Sequence, residues 1–182
     1  MVVGRGMVAQ AFIDEYQDNG EIIIFASGVS NSQEIESSAF IREEKMLAHY
    51  FHTPKIFVYF SSCSIYDPDQ MNSLYVKHKI EIEKRIKENI ENYLIVRLPI
   101  VVGNTNNEKN LLPFLVKSIS EFKTFQLYTK ATRYLMDIDD VFSFVNRLIR
   151  LKKFNRVINM NFSNQIAILT LVHTIEKKLH QK

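Results

Sequence analysis

The strongest constraint on the fold is a set of short apolar runs in which polar and apolar residues do not alternate. Residues 22–25 read Ile-Ile-Ile-Phe, and residues 56–59 read Ile-Phe-Val-Tyr. Such strands are typical of parallel sheets that helices cover on both faces. Longer segments of helical periodicity separate the runs. The pattern predicts strands at residues 1–3, 21–26, 55–60, 93–98 and 156–160, and helices at residues 6–16, 34–51, 75–91, 110–122, 139–151 and 169–179.

This alternation predicts an α/β fold with a doubly wound parallel sheet and right-handed crossovers. In such sheets, ligands bind at the carboxyl ends of the strands. Small and polar residues follow the predicted strands, namely Gly4 to Gly6, Ser27, Gly28, Ser61, Ser62 and Pro99. We therefore expect these residues to line one crevice.

Length and composition indicate one well-packed domain. The chain has 182 residues, of which 46% are apolar and 24% are charged. A net charge of +3 gives no reason to expect a nucleic-acid partner. Cys63 is the only cysteine, no apolar run approaches the roughly 20 residues of a membrane helix, and the first residues do not resemble a signal peptide. We therefore expect a cytoplasmic protein without a membrane partner, and the histidine spacing predicts no metal site.

A glycine-rich turn joins the first predicted strand to the first predicted helix. Gly4, Gly6 and Ala9 have the G-x-G-x-x-A spacing of a dinucleotide-binding turn. The first glycine permits a tight bend, the second lets a pyrophosphate approach the backbone, and the small third residue lets helix and strand pack closely. A plain turn can have the same spacing. The strand at residues 21–26 also lacks a following acidic residue of the kind that usually binds the ribose.

Two serines, a tyrosine and a lysine form a candidate catalytic group. Ser61 and Ser62 follow a buried strand, and Tyr75 and Lys79 share one face of the next helix because they are four residues apart. A nearby ammonium favours the phenolate and so lowers a phenol pKa from about 10. Such a phenol can exchange a proton with a carbonyl/alcohol couple. The tyrosine and lysine alone would more often be a surface pair, but the preceding strand and glycine turn make the combination specific.

These motifs resemble those of the extended short-chain dehydrogenases, the NAD-dependent epimerase/dehydratase family. Residues 60–66 are similar to the family's S-S-x-x-V-Y segment, and Tyr75 with Lys79 matches its Y-x-x-x-K pair. Four further segments resemble family motifs in order: residues 97–103 (R-x-x-x-V-Y-G), 110–113 (N-L-x-P), 133–141 (R-D-F-x-x-V-D-D-V) and 156–171 (Y-N-I-G-x-G...S-x-x-E-L). The similarity covers nearly the whole chain.

The resemblance implies a Rossmann-like enzyme of nucleotide-linked sugars that uses NAD or NADP, with the choice between them open. Tyr75 would be the acid/base, Lys79 would tune it, and Ser62 would polarise the substrate oxygen. Cofactor contacts are implied for Gly4, Arg5, Gly6, Met7, Ala9, Ala26, Ser27, Ser61, Tyr75, Lys79, Leu98, Pro99 and Val101, and substrate contacts for Ser64, Asn110 and Arg133. The resemblance also implies a cofactor-binding core at residues 1–103, a small substrate lobe at residues 104–182, and a homodimer through the helices at 34–51 and 75–91.

The chain departs from the family in ways that narrow the expected activity. A strand–helix–strand block, which carries the adenosine pocket and its acidic residue, is missing between the first helix and residues 21–26. Cys63 and Ser64 stand where sugar 4,6-dehydratases carry Asp and Glu, which argues against dehydratase activity. We therefore expect an epimerase or ketoreductase. Two alternatives stay open: a non-catalytic dinucleotide sensor or scaffold of the same fold, and a reductase of a non-sugar carbonyl.

Overall fold

The structure is a computed structural model that describes residues 1–104, 110–160 and 165–180. The strands in these ranges are β1 (Val2–Val3), β2 (Ile22–Phe25), β3 (Ile56–Ser62), β4 (Tyr93–Leu98), β5 (Ile100–Val102), β6 (Thr132–Asp137), β7 (Arg156–Asn159) and β8 (Gln165–Ala167). The helices are α1 (Met7–Tyr16), α2 (Ser37–Ala48), α3 (Leu74–Asn89), α4 (Leu111–Ser120), α5 (Ile138–Arg150) and α6 (Ile168–His180), with a 3₁₀ turn at Cys63–Tyr66.

Five parallel strands form the main sheet, in the order β1-β2-β3-β4-β7. The register pairs Phe25 with both Val3 and Tyr59, and it pairs Ser62 with Leu98. The carboxyl ends of β1 to β4 therefore lie side by side. Within the described residues, β1 is an edge strand, because the sheet order begins with it.

Helices cover both faces of this sheet because successive strand residues point to opposite sides. On one face, Val58 and Phe60 pack with Phe12 of α1 and Val141 of α5. On the other face, Phe57 and Tyr59 belong to a second core with residues of α2 and α3, including Leu47, Ile82 and Ile86. The prediction of a doubly wound parallel sheet is confirmed.

A smaller sheet packs with the later helices. It has the order β5-β6-β8, with β5 parallel and β8 antiparallel to β6. Helices α4 and α6 bury their own apolar cluster, centred on Leu115 and Val172. The sequence did not predict these three strands, since β5 and β8 have three residues each and β6 is only half-buried, so that their periodicity is weak. The division at residue 103 stays a prediction, although β7 and α5, from beyond it, complete the main sheet and its core.

Local side-chain chemistry accounts for several helix ends. Asp137 caps α5 by accepting a 2.8 Å hydrogen bond from the backbone N–H of Asp139, and Ser73 caps α3 by accepting one of 3.1 Å from Val76. Arg147 and Arg150 lie in the last turn of α5, where they complement the helix dipole. None of the helices in the described ranges is long and apolar enough to cross a membrane.

Candidate active site

The two glycines of the turn after β1 have different structural roles. Gly4 has a φ of +133°, and a Cβ at this position would lie 2.4 Å from the carbonyl oxygen of Ala26. Only glycine fits there without strain, because the turn passes close to the end of β2. Gly6 has an ordinary φ of −78°, and a Cβ built on it would meet nothing within 4 Å. Gly6 therefore faces open space at the start of α1.

The N-terminus of α1 faces the same open space, because Gly6 is its N-cap residue. No side chain in the described part of the chain caps α1, so its first N–H groups are available to an anion. Ala9 is fully buried, as its place in the motif predicts, and Arg5 is exposed. A Cβ added to Gly103 would lie 3.0 Å from the Sδ of Met7, which places the end of β5 beside the same helix start.

The serines that end β3 lie at the same carboxyl end of the sheet as this turn, with β2 between β1 and β3. Ser61 is buried, and its Oγ has no hydrogen-bond partner among the described residues. Ser62 is also buried, and its Oγ accepts a 3.1 Å hydrogen bond from the backbone N–H of Ser64 at the start of the 3₁₀ turn. Since a hydroxyl that accepts one bond can still donate its own proton, Ser62 can hold a second oxygen.

Tyr75 and Lys79 lie on the buried face of α3, as the four-residue spacing predicted. Tyr75 is 6% exposed and packs with Val29 and Val76. Lys79 is 2% exposed, and its Nζ lies 5.7 Å from the centre of the Tyr75 ring. The ammonium therefore lies near the phenol ring in a site that excludes most water.

The side chain of Lys79 is held by a buried carboxylate that the sequence analysis missed. Lys79 Nζ donates to Glu43 Oε1 at 3.2 Å and to the Tyr59 hydroxyl at 2.9 Å. Glu43, on α2, is fully buried and also accepts hydrogen bonds from the Tyr59 hydroxyl (2.6 Å) and the Val29 backbone N–H (2.6 Å). His78 Nε2 lies 3.0 Å from Glu43 Oε2. We call Glu43, Tyr59, His78 and Lys79 the buried quartet.

The electrostatics of the quartet keep Glu43 ionised. Burial alone would raise its pKa, but the Lys79 ammonium and hydrogen bonds from His78, Tyr59 and Val29 outweigh burial and lower the pKa to about 2. Burial and the adjacent Glu43 carboxylate raise the pKa of Tyr59 well above its usual value, so Tyr59 acts as a neutral donor.

One feature of the sequence could have revealed Glu43. It lies three residues after Phe40 and four before Leu47, on the apolar face of α2. A carboxylate on such a face needs a buried cation or several donors. The partner lysine lies 36 residues further along the chain, so helical periodicity could indicate the need for a partner without identifying it.

The remaining predicted site residues fall into two groups. Ala26, Ser27, Leu98 and Pro99 lie at the carboxyl ends of β2 and β4, beside the turn and the serines, and Val101 and Ser64 follow closely in β5 and the 3₁₀ turn. Asn110 is the N-cap residue of α4, in the smaller lobe. Arg133 lies in β6, two residues before the partner of Ile100, and its Nη1 donates to the backbone carbonyl of Thr132 at 2.8 Å. These predicted roles stay predictions.

Cys63 has the environment of a structural thiol. Its Sγ donates to the backbone carbonyl of Arg97 at 3.2 Å. Burial raises the pKa of the thiol, which disfavours the thiolate that a nucleophile needs.

Solved structures of nucleotide-sugar enzymes share this fold. The UDP-N-acetylglucosamine 4-epimerase from Methanobrevibacter ruminantium M1, in complex with UDP-N-acetylmuramic acid, has a TM-score of 0.68 at 15% identity, over 95% of this chain and 65% of that chain. The dTDP-4-dehydrorhamnose reductase from Bacillus anthracis, in complex with NADP, has a TM-score of 0.74 at 15% identity, over 95% of this chain and 67% of that chain. The UDP-glucuronic acid 4-epimerase from Bacillus cereus, in complex with UDP-glucuronic acid and NAD, has a TM-score of 0.67 at 17% identity, over 97% of this chain and 73% of that chain.

At these identities the likeness concerns the fold. No family profile matches the sequence, and no curated protein matches it. The chain spans 63–65% of the length of three of the similar structures, which agrees with the block missing before β2. The chain therefore has a shortened form of the Rossmann-like fold of nucleotide-sugar epimerases and reductases, as its motifs predicted.

Proposed function

We propose that the chain is an NAD- or NADP-dependent epimerase or ketoreductase that acts on a nucleotide-linked sugar. One arrangement supports the proposal above all others. The turn at Gly4 and Gly6 lies at the carboxyl end of the parallel sheet, and so do Ser61 and Ser62. Tyr75 lies on the helix that follows β3, with a lysine beside its ring. The similar structures include sugar epimerases and reductases and so favour this class.

In the proposed reaction, Tyr75 exchanges a proton with the sugar oxygen while Ser62 holds that oxygen by a hydrogen bond. Lys79 provides positive charge beside the phenol ring. Apolar packing around Tyr75 keeps water away, since the ring packs with Val29 and Val76. Cys63 and Ser64 provide no carboxylate beside Ser62, so we do not propose 4,6-dehydratase chemistry.

The residues present fit a nicotinamide dinucleotide. The uncapped N-terminus of α1 and the open face of Gly6 suit a pyrophosphate. The unpartnered Oγ of Ser61 is a buried hydroxyl in need of a polar neighbour. When bound, such a cofactor would supply hydride transfer: it would take a hydride from the sugar carbon and return it in an epimerase, or give one to the carbonyl carbon in a ketoreductase. Ala26, Ser27, Leu98 and Pro99 would contact it from the strand ends.

A matched pair of glycine variants tests this cofactor site. Gly6→Ala adds a methyl group to open space, so we expect the free energy of unfolding to stay within about 1 kcal/mol of wild type. The same methyl would occupy the space of the pyrophosphate, so binding should weaken at least tenfold. Gly4→Ala, which forces a contact with Ala26, should instead lower stability. Calorimetry with NAD, NADH, NADP and NADPH, together with urea denaturation, measures both effects. Equal binding by Gly6→Ala and wild type, or no wild-type binding at millimolar concentration, would refute the site.

A non-catalytic dinucleotide-binding protein is the second candidate. Two observations favour it. First, β1 is the edge strand of the sheet in the described residues, so no strand beyond it there could line an adenosine pocket. Second, the Lys79 ammonium is already paired with Glu43. Mass spectrometry of the nucleotide that co-purifies, followed by a turnover screen with UDP-, GDP- and dTDP-sugars, separates the two candidates. Bound dinucleotide without turnover of any sugar would favour the second.

We also propose a homodimer through α2 and α3. These helices carry the exposed apolar residues Ile41 and Ile80 on a surface that is otherwise rich in charges. A dimer would bury this apolar surface, which stabilises association by about 25 cal/mol per Å². Light scattering at micromolar concentration should give twice the mass of the chain, and Ile41→Glu with Ile80→Glu should give the monomer. A wild-type monomer would contradict the proposal.

A further inference from the structure

The Lys79 ammonium, which we propose acts on Tyr75, also forms an ion pair with Glu43. The carboxylate reduces the positive potential that the ammonium exerts on the phenol. Lys79 Nζ lies 3.2 Å and 3.5 Å from the two carboxylate oxygens of Glu43. Both side chains are buried, so solvent screens the pair only weakly. We propose that Glu43 is a positioning residue of the active site, which fixes the Lys79 ammonium beside Tyr75 and neutralises part of the charge that the phenol experiences. This inference rests on the proposed function.

The first argument is that the Glu43 carboxylate has no freedom to move. A carboxylate offers about four lone-pair sites. Oε1 accepts from the Tyr59 hydroxyl and from Lys79, and Oε2 accepts from the Val29 N–H and contacts His78 Nε2. All four sites are therefore used, and the partners come from β3, from α3 and from the loop after β2. A carboxylate fixed from three directions fixes the lysine bound to it.

The second argument is that the backbone leaves room for this ion pair. A Cβ added to Gly28 would lie 2.7 Å from both Glu43 Oε1 and Lys79 Nζ. The pair therefore packs directly against the loop after β2, in the space that a side chain would otherwise fill. Gly28 was singled out in the sequence for its place after a strand, and the structure explains the small residue by contact with the pair.

The third argument is the charge balance around Tyr75. The ionisable groups that face this region are Glu43 and Glu44 from α2, His78, Lys79 and Glu83 from α3, Tyr59 from β3 and Arg97 from β4. Glu83 is paired with Arg97 at 2.6 Å, and Glu44 with Arg85 at 3.3 Å. Since these acids have cations of their own, removal of the Glu43 charge leaves Lys79 uncompensated next to the phenol. The positive potential at Tyr75 should then increase.

Variants of the two charges have opposite expected effects on Tyr75. In protein labelled with ¹³C at the tyrosine ζ carbon, the Tyr75 resonance is assigned by its absence in Tyr75→Phe and followed by NMR against pH. With Glu43→Gln, the midpoint of the Tyr75 titration should fall, because the cation is no longer neutralised. With Lys79→Met, the midpoint should rise. The double variant should return close to the wild-type midpoint. Glu88→Gln, an exposed position near the end of α3 that pairs with Lys84, is the control and should leave the midpoint unchanged.

Several results would overturn the inference. One is a Glu43→Gln midpoint equal to or above that of wild type. If Glu43→Gln does not fold, the test is the comparison of Lys79→Met with the double variant. Equal Tyr75 midpoints in these two would mean that Glu43 does not act on Tyr75. If Lys79→Met also fails to fold, the double variant is compared with wild type, and a Tyr75 midpoint that differs between them would overturn the inference. None of these measurements needs a substrate, so a failed turnover screen would refute the proposed function and leave this result standing. Where a substrate is found, the pH profile of kcat in Glu43→Gln should move to lower pH, a shift that a purely structural role would not produce.

Discussion

Tyr75→Phe should reduce turnover of the nucleotide sugar by about 10²–10⁴-fold, the usual contribution of general acid–base catalysis. The substitution keeps the ring and its packing against Val29 and Val76 and removes only the hydroxyl that carries the proton. The free energy of unfolding should therefore stay within about 1 kcal/mol of wild type. Steady-state kinetics on the sugar identified by the screen, with urea denaturation of the same samples, measures both quantities.

The control for Tyr75→Phe is Tyr128→Phe. Tyr128 is 69% exposed, lies in the loop before β6 and has no part in the proposed chemistry. It should change neither turnover nor stability. If Tyr75→Phe turned over the sugar at the wild-type rate, the assignment of the active site would be wrong, whatever the cofactor measurements give.

Lys79→Met should lower the free energy of unfolding by about 3–5 kcal/mol near neutral pH, the usual cost of removing one partner of a buried ion pair. The variant leaves the Glu43 carboxylate buried without its cation. Glu43→Gln with Lys79→Met should recover most of this loss, since a neutral pair of similar volume needs no compensation. Lys77→Met, an exposed position on the same helix, is the matched control and should stay within about 0.5 kcal/mol of wild type.

The loss caused by Lys79→Met should depend on pH. In the wild-type chain, the pKa of Glu43 is lowered from 4.5 to about 2, so its contribution to stability is fully present above the higher value and is lost as pH falls through the lower one. In the variant, burial raises the pKa of Glu43, and protonation relieves the penalty. The two stability curves should therefore approach each other as the pH falls below 4.5 and meet near pH 2. Curves that stay parallel across this range would show that the penalty has another origin.

The main sheet could be predicted because its strands have a strong local pattern. β2 is a continuous apolar run, β3 begins with five apolar residues and β4 with four, and each strand was expected within two residues of its observed ends. The parallel, doubly wound arrangement followed from the alternation with helices, whereas the order of the strands was not predicted. β5 and β8 could not be predicted in the same way, because three residues are too few to establish a period and their stability depends on pairing with β6.

The candidate site could be predicted only in its local parts. The spacing of Tyr75 and Lys79 on one helix and the glycine turn are properties of adjacent residues, and the sequence indicates them. The buried quartet combines α2, β3 and α3, so the sequence separation of its members hides it. Lys79 was expected to tune Tyr75 and to contact the cofactor, and the structure adds its ion pair with Glu43.

The long segment between β4 and β7, which we call the excursion, can change in length at little cost to the main sheet. β7 pairs with β4 directly, yet the chain leaves the main sheet after Leu98 and returns at Arg156, and the smaller lobe lies between them. The entropy cost of closing such a loop grows only with the logarithm of its length, so that doubling it costs about 0.6 kcal/mol. Residues inserted into the excursion outside α5, which packs on the main sheet, would thus hardly weaken the pairing of β4 with β7. Changes in the length of this segment can therefore be nearly neutral for the stability of the main sheet.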